Sequence, residues 1–440
     1  MSFRAGSAAV EITPDRPVPL AGTYSERMST GVHDPLFARA LVLGTGDRTI
    51  GHLSLDLISA HGDLTAEIRR RVADAVGVDG IMVSTTHTHT GPELPGRHPG
   101  RSTAYDLDDV VERIAAGATR AIVDAAERRE PASIRVGRAT NWDVTINRRS
   151  RGGLLGEVDT AGRNVDPDRD VDPELAVLLV EPDHGRPFAL YNFACHTTTM
   201  TTRALSADWP QAAAARVRAD RPAMRVSFVN GAAGDVVPRD SYDWQSHHDS
   251  KSAFRATIGA EIGETLAAAI DDAERTDPMQ TPTIDAAERT LDVPTKPIDP
   301  DGTRARLQEL DARIEAEGLS MDRPLGHPVT RERRFRSRDL ALHDRVGGTL
   351  TTSVQGLRIG PVTIVSLPGE PLVDHGETLK AAMPASVPMI AGYTNDHVGY
   401  LPTREEIRCG GYEVSTRTLA AAGIDRLRDT ALALSETLAA

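Results

Sequence analysis

The sequence of 440 residues has few cysteines and no long apolar run. Its two cysteines, Cys195 and Cys409, cannot form the disulfide framework of a small secreted protein. No apolar stretch approaches the roughly 20 residues that a membrane-spanning helix requires. The N-terminus also lacks the apolar core of a signal peptide. These absences predict a cytoplasmic protein without a transmembrane segment.

Positive charge and aromatic residues are also scarce. The chain has 50 Lys and Arg against 63 Asp and Glu, a net charge of −13, and no basic run. This balance argues against nucleic acid and against an anionic membrane surface as partners. Phe, Trp and Tyr make up only 4% of the chain, which argues weakly against stacked bases or a wide lipid tunnel. The oligomeric state is left open.

Runs with strand character alternate with helical runs. Three pairs of apolar runs separated by short turns predict antiparallel hairpins: 40–44 with 49–57, 174–181 with 187–194, and 353–360 with 361–369. Helical periodicity follows at about 64–76, 107–126 and 254–275. The pattern predicts an α/β fold with a mixed sheet, antiparallel hairpins and flanking helices. We expect one large catalytic domain over 1–440, with a charged helical insertion or lid at 302–345.

Polar residues that can take part in catalysis or metal binding come directly after five apolar, strand-like runs. They are His87 with His89, His196, Asn230 with Asp235, Glu370, and His397 with Tyr400. Ligands of open α/β sheets bind outside the carboxyl ends of strands. These residues are therefore expected to converge if the strands are neighbours.

Two readings are open for each of these residues. His87 and His89 form an H-x-H pair, which in an extended segment puts both imidazoles on one face and suits a metal with an adjacent acid/base. The alternative is an exposed strand end. His196 can be a ligand or a hydrogen-bonded structural histidine, and Cys195 can be a ligand, a nucleophile or a small buried residue. Glu370 can serve as a helix N-terminal acid or as a metal ligand.

Arg148 lies on an expected loop, where an arginine is usually solvated but can also stabilise a developing oxyanion. The turn from Asn230 to Asp235 is rich in small residues and lacks the Gly-Lys-Ser/Thr of a phosphate loop, so nucleotide binding is not indicated. Two histidines, a glutamate and a tyrosine from separate segments suit Zn²⁺ better than copper or an iron–sulfur cluster.

Taken together, the motifs resemble the N-terminal catalytic domain of the neutral/alkaline non-lysosomal ceramidase superfamily. The matching stretches, in the family's order, are AGSAAVEITP (5–14), GVHDPLFARALVL (31–43), STTHTHTGP (84–92), INRRS (146–150), VDPELAVLLV (171–180), FACHTTTM (193–200), NGAAGDVVP (230–238), LPGEP (367–371) and NDHVGYLPTREE (395–406).

The resemblance implies one zinc ion and a role for each matched residue. The implied zinc ligands are His87, His196, Glu370 and Tyr400. His89 matches the second histidine of the family's H-T-H, beside the metal, and Arg148 matches an arginine near the substrate carbonyl. Tyr400 is preferred to His397 as a ligand because it matches the second aromatic residue of the family's motif.

Two departures from the family pattern bear on the reaction. Val237 stands where ceramidases carry a serine that is tied to catalysis. The chain also ends after the catalytic part, without the C-terminal immunoglobulin-like domain that the resemblance implies. Together with the missing signal sequence and the few aromatic residues, they argue against a long-chain ceramide substrate. Without the serine, we expect direct hydrolysis by water, with no acyl-enzyme.

The sequence thus predicts a zinc-dependent hydrolase that cleaves an amide or ester bond of a small or acylated substrate with a metal-activated water. In this hypothesis His89 moves the proton, Arg148 stabilises the oxyanion, and Asn230, Asp235 and Asp208 contact substrate or orient other residues. One alternative is a metal-dependent amidohydrolase barrel, which also has an H-x-H. The other is a catalytically inactive zinc-binding homologue that binds a ligand.

Overall fold

The structure is a computed structural model. It describes residues 2–23, 26–46, 48–95, 105–149, 170–200, 202–239, 251–322 and 326–440. Within these ranges, no helix is both long enough and apolar enough to cross a membrane.

Strands and helices interleave along the whole described chain. The strands are β1 (Arg4–Glu11), β2 (Gly31–Val32), β3 (Phe37–Thr45), β4 (Arg48–Leu55), β5 (Gly80–Thr85), β6 (Glu130–Thr140), β7 (Thr145–Asn147), β8 (Glu174–Pro182), β9 (Phe188–Phe193), β10 (Ala204–Leu205), β11 (Arg225–Asn230), β12 (Val236–Pro238), β13 (Ile284–Pro294), β14 (Thr349–Ile359), β15 (Val362–Ser366), β16 (Glu370–Pro371), β17 (Val387–Ala391) and β18 (Tyr400–Leu401). The helices are α1 (Gly62–Ala75), α2 (Asp108–Glu127), α3 (Asp208–Asp220), α4 (Lys251–Glu274), α5 (Pro300–Ala316), α6 (Pro328–Val346), α7 (Val373–Ala382), α8 (Arg404–Cys409), α9 (Tyr412–Ser415) and α10 (Ala421–Ala439).

Two larger sheets form the frame. The first has eight strands in the order β11-β9-β8-β6-β1-β3-β4-β5, and the second has four in the order β13-β14-β15-β17. Both are mixed, because β9–β11, β4–β5 and β15–β17 pair in parallel while the other neighbours are antiparallel. The predicted α/β class and its three hairpins are confirmed. The amidohydrolase barrel is wrong, since the described strands form open mixed sheets.

The two sheets pack face to face with helices outside them. One buried apolar cluster contains residues of both sheets, such as Leu41, Leu178 and Ile364. Separate clusters join the outer faces to α1 and α2, to α3 and α4, and to α7 and α10. Strand residues alternate between these cores: Leu41 lies in the inner cluster, and its neighbour Val42 in an outer one. Burial on both faces explains why the strand sequences are continuous apolar runs.

The charged stretch 302–345 forms two helices, as predicted. α5 and α6 are held together by ion pairs from Arg306 to Glu332 and from Arg333 to Asp311. Phe335 of α6 reaches the ring of Tyr412, with 6.2 Å between ring centroids. The helical character is confirmed, and both the role of a lid and the single-domain organisation stay predictions.

Hydrogen bonds join the carboxyl ends of strands from the two sheets. The carbonyl of Asn230, at the end of β11, accepts from the backbone N–H of Gly392, just beyond β17, at 2.9 Å. The backbone N–H of Thr85, at the end of β5, donates to the carbonyl of Tyr393 at 3.2 Å. The predicted convergence of strand ends is therefore confirmed, but the strands that converge belong to two sheets.

Candidate metal centre

His87 and His89 come together through an unusual backbone conformation. His87 has φ of 64°, so the H-x-H is not the extended segment that the sequence argument assumed, and that premise is wrong. Its backbone N–H donates to the Leu57 carbonyl at 2.9 Å, and its ring lies 4.0 Å from that of Tyr393. A left-handed residue other than glycine is costly and is found where the surroundings fix it. Here it directs the buried His87 ring toward His89.

A close backbone approach holds His89. Its Nδ1 lies 3.0 Å from the carbonyl oxygen of Gly22. Gly22 has φ of 86°, and a Cβ at this position would lie 2.4 Å from the His89 side chain. Only glycine fits both conditions. The N-terminal segment around Gly22 therefore forms one wall of the site.

His196 follows β9 and is fully buried. Its backbone N–H donates to the Val236 carbonyl at 2.9 Å, and its Nδ1 lies 2.5 Å from the Ala233 carbonyl oxygen. The small-residue turn after β11 therefore supplies the acceptor that orients this ring. Burial is the main cause that lowers the pKa of His196 below 6.5, and the positive charge of the nearby Arg148 lowers it further.

The three imidazoles share one protonation pattern. Each Nδ1 faces a backbone carbonyl oxygen: Ile58 for His87, Gly22 for His89 and Ala233 for His196. A carbonyl only accepts, so each Nδ1 carries the proton and each Nε2 presents a lone pair. One ring nitrogen from each histidine lies within 4.8 Å of the others, and the Nε2 atoms of His87 and His89 are 3.4 Å apart.

Glu370 adds a carboxylate to these nitrogens. Its Oε2 lies 3.4 Å from His87 Nε2 and 3.5 Å from His196 Nε2, and its Oε1 lies 3.1 Å from His397 Nε2. Burial raises the pKa of the Glu370 carboxyl, but positive charge at the surrounding imidazoles outweighs burial and holds that pKa well below 4.5, whether protons on the Nε2 atoms or a cation bound to their lone pairs supply that charge. Glu370 is therefore a buried carboxylate anion.

The donor atoms fit a divalent cation. Oε2 of Glu370 and Nε2 of His196 are fully buried, and neither has a hydrogen-bond partner among the described residues. Buried acceptors without a donor are costly. A metal ion among them would satisfy the lone pairs of imidazole and carboxylate together, and this ligand chemistry is typical of zinc. Each Nδ1 donates to a backbone carbonyl, and metal-binding histidines usually have such a hydrogen-bond partner on the ring nitrogen that does not bind the metal.

Tyr400 is placed beside Glu370 and Arg148. β18 pairs in parallel with β16, which sets Tyr400 opposite Glu370. The Tyr400 hydroxyl accepts a hydrogen bond from Nη2 of Arg148 at 2.9 Å. Burial raises the pKa of the phenol well above 10, and Arg148 opposes this rise. Tyr400 thus lies next to the cluster, and its role as a metal ligand stays a prediction.

Arg148 is buried, so the interpretation as a solvated loop arginine is wrong. It follows β7, and its backbone N–H donates to the Asp235 carbonyl at 2.7 Å. Its Nε donates to Oε1 of Glu413 at 2.9 Å, and its Nη2 also donates to the Gly234 carbonyl at 2.8 Å. Stabilisation of an oxyanion by Arg148 stays a prediction.

The three predicted substrate contacts lie at different places. Asp235 accepts from the backbone N–H of Val373 and from the side chain of Asn147, each at 2.9 Å. Asn230 accepts from the Cys195 backbone N–H at 3.4 Å, and its Nδ2 is buried without a partner among the described residues.

Asp208 instead shapes the loop after His196. Its carboxylate accepts from the backbone N–H groups of Met200, at 2.9 Å, and Trp209, at 2.6 Å, and from Thr199. Contacts of Asn230, Asp235 and Asp208 with substrate stay predictions.

Further residues also form the site, and the sequence did not single out two of them, Tyr393 and Glu413. Val237, at the position of the family's serine, is buried in β12 opposite Ile146. Tyr393 packs on His87, and Glu413 binds Arg148. Both are distant in sequence from their partners and carry no local motif. His397 lies in a recognised motif, and its contact with Glu370 joins the loops that follow β15 and β17, which are parallel neighbours in one sheet.

A family model and curated relatives point in one direction. The model for the neutral/alkaline non-lysosomal ceramidase, N-terminal, matches residues 3–288. Neutral ceramidase B of Dictyostelium discoideum is 26% identical over 221 residues, which cover 47% of this chain and 30% of that protein. Neutral ceramidase A of the same organism is 24% identical with the same coverage. The match therefore spans less than a third of the curated relatives' length.

Solved structures extend the likeness to nearly the whole chain. The crystal structure of neutral ceramidase from Pseudomonas aeruginosa has a TM-score of 0.73 at 21% identity, covering 99% of this chain and 75% of that one. A structure described as ceramidase complexed with C2 has a TM-score of 0.74 at 19% identity, covering 100% and 75%. At these identities the likeness shows the fold, which includes the segments of Glu370 and Tyr400 beyond residue 288.

Proposed function

Because the chain belongs to the neutral/alkaline non-lysosomal ceramidase family, we propose that it is a zinc-dependent hydrolase that cleaves an amide or ester bond. One observation carries the proposal: three imidazoles with their Nδ1 atoms fixed on carbonyls turn unprotonated nitrogens toward one another and toward Glu370. His87, His196, Glu370 and Tyr400 would hold the metal.

His89 is the residue of the cluster that exchanges protons in this proposal. Zn²⁺ in such a site supplies Lewis acidity, which acidifies water and polarises a carbonyl group. His89 Nε2 takes a proton from the attacking water as the new C–O bond forms. It then returns the proton to the leaving nitrogen or oxygen as the scissile bond breaks, a role typically worth about 10²–10⁴-fold in rate.

Arg148 supplies a fixed positive charge at the other side of the cluster. Arg148 is buried, and the hydrogen bond from its Nη2 to the Tyr400 hydroxyl keeps it next to the candidate ligands. A fixed donor near the scissile carbonyl stabilises the negative charge that develops on oxygen, by about 3–4 kcal/mol when well placed. Val237 offers no hydroxyl, so water attacks directly and no acyl-enzyme forms.

The substrate class is a small or acylated amide or ester. A structural neighbour is described as a ceramidase complexed with C2, and N-acyl amides are therefore the first class to assay. A panel should combine short and long N-acyl amides, lactams, lactones and esters. Formation of a burst of product with acyl label on the protein would contradict direct attack by water.

Metal analysis of purified protein tests the zinc site. We expect one zinc per chain in the wild type and a loss of most of it in His87→Ala and Glu370→Ala. His375→Ala is the matched control, because His375 is equally buried and lies outside the cluster; its zinc content should be unchanged. Zinc-free wild type, or zinc retained in both cluster variants, would refute the site. Stoichiometric zinc without hydrolysis of any substrate would favour a ligand-binding homologue.

A further inference from the structure

A buried group of charges lies directly behind Arg148. We call Arg148, Arg149, Glu406 and Glu413 the arginine–glutamate network. Glu413 binds both arginines, with 2.9 Å from Oε1 to Arg148 Nε and 2.6 Å from Oε2 to Arg149 Nη1. Arg149 Nε lies 3.5 Å from Oε1 of Glu406. All four side chains are at most 5% exposed, and their charges cancel.

The network joins segments that are far apart in sequence. Arg148 and Arg149 follow β7, whereas Glu406 and Glu413 belong to α8 and α9. Arg149 Nη2 also donates to the Gly410 carbonyl at 2.8 Å. Glu406 accepts from the backbone N–H of Thr403 through its other oxygen, which caps α8. These contacts hold α8, α9 and the segment after β7 together behind Glu413.

Glu413 sets the direction of the Arg148 guanidinium. A guanidinium is a planar fork, so anchoring Nε fixes where the remaining N–H groups point. With Nε on Glu413, Nη2 donates to the Gly234 carbonyl and to the Tyr400 hydroxyl. The rings of Tyr400 and Tyr412 lie 5.6 and 5.8 Å from the Arg148 Cζ atom, which restricts the plane further.

We propose that Glu413 is a positioning residue that aims Arg148 at Tyr400, and that Arg149 balances the charge of Glu413 without acting on the reaction. The inference rests on the proposed hydrolase for its kinetic consequence. Its structural part, that Glu413 acts on the metal site through Arg148 and Tyr400, can be measured by zinc binding alone. Burial raises the pKa of Glu413, but Arg148 and Arg149 outweigh it, so the carboxylate is ionised.

The test compares Glu413→Gln with Arg149→Met in the full-length zinc-loaded protein. Both changes disturb the same buried network, but only Glu413 contacts Arg148. We expect Glu413→Gln to lower kcat about 10–100-fold with KM within about twofold, and to weaken zinc binding about tenfold in competition with a chromogenic chelator. Arg149→Met should keep kcat and zinc affinity within about twofold while lowering the melting temperature. Equal losses in both variants would overturn the proposal.

A double variant separates positioning from an independent effect. If Glu413 acts only through Arg148, Arg148→Met with Glu413→Gln should match Arg148→Met alone in kcat and zinc affinity. A further tenfold loss in the double variant contradicts the proposal. If Glu413→Gln alone does not fold, the comparison of Arg148→Met with the double variant still tests the proposal. In the double variant no charged Arg148 is left without its partner.

Zinc affinity distinguishes the failure of this proposal from the failure of the proposed function. Should the wild type bind zinc but hydrolyse nothing, the hydrolase is refuted, and the zinc constants of the same variants still decide the role of Glu413. A wild type that binds no zinc overturns both.

Discussion

The metal cluster, which comprises His87, His89, His196 and Glu370, and the arginine–glutamate network are both buried and polar. The two regions differ in how their hydrogen-bond donors and acceptors are balanced. In the network, two arginines face two glutamates, and Glu413 has a donor on each oxygen. In the metal cluster, unprotonated nitrogens face each other and the Glu370 carboxylate, and two of these acceptor atoms lack a donor among the described residues. Folding alone explains the first arrangement, since every charge has a partner.

The difference indicates where a ligand is required. A satisfied buried network contributes rigidity, whereas an excess of acceptors is costly until a cation binds. Changes in the metal cluster should therefore abolish chemistry and leave the fold, whereas a change at Arg149, a member of the network with no proposed part in the reaction, should weaken the fold and leave the chemistry. The following predictions test this contrast, beginning with the largest effect.

His89→Ala should lower kcat by about 10²–10⁴-fold, because His89 is the proton carrier of the proposed reaction. The variant should keep its zinc and its melting temperature, since His89 is not among the proposed ligands. Steady-state kinetics and metal analysis on one preparation check this. His87→Ala provides the contrast, with zinc lost as well. If His89→Ala also loses zinc, His89 belongs to the ligand set.

Arg149→Met should lower the free energy of unfolding by about 3–5 kcal/mol, because it removes one partner of a buried ion pair. Below the melting transition, kcat should stay within about twofold of the wild type. Denaturant unfolding and kinetics on the folded fraction measure the two effects. Arg70→Met is the control: Arg70 pairs with Glu67 on the exposed face of α1, where solvent screens the pair and little change in stability is expected. A kinetic loss without destabilisation would erase the contrast between the two regions.

The sequence predicted which residues form this site but not their local geometry. The residues of the metal cluster could be found because each follows an apolar strand and because the motifs occur in a family order. Their convergence depends on two sheets meeting, which periodicity does not encode. The left-handed conformation of His87 was invisible for the same reason, since the Tyr393 ring that packs on it lies some 300 residues later.

The charged network was harder to predict than the metal cluster. Arg148 and Arg149 in a loop have the appearance of solvated residues, and Glu413 falls in a segment without a motif. Only the approach of α8 and α9 to the segment after β7 buries them together. The α/β class and the three hairpins were predictable, because two apolar runs joined by a short turn pair locally, but the division into two sheets was not.

Gly22→Ala should lower kcat about 10²-fold with zinc retained. A Cβ at residue 22 would lie 2.4 Å from the His89 side chain, and a shift of about 1 Å in a catalytic group can cost this much. Gly31→Ala is the matched control, because nothing lies within 4 Å of its Cβ and its φ is not positive. Kinetics and metal content of both variants check the result. Unchanged kcat in Gly22→Ala would mean that His89 needs no fixed position.

His52 offers the smallest effect and lies outside both regions. Burial lowers its pKa from 6.5 to about 4, and its Nε2 contacts the Ser84 hydroxyl at 3.1 Å. The unfolded chain therefore binds a proton at higher pH than the folded chain, so stability is complete above pH 6.5 and falls as the pH drops toward 4. We expect a loss of about 1–3 kcal/mol over this range.

The pH dependence of urea unfolding, measured on the zinc-free protein, tests this contribution. His52→Gln cannot bind the proton and should flatten the slope between pH 6.5 and 4, even if it changes the stability at pH 7. His184→Gln is the control on an exposed turn and should keep the wild-type slope. An unaltered slope in His52→Gln would assign the acid sensitivity to other buried histidines, such as His375 or His196, whose pKa values burial also lowers.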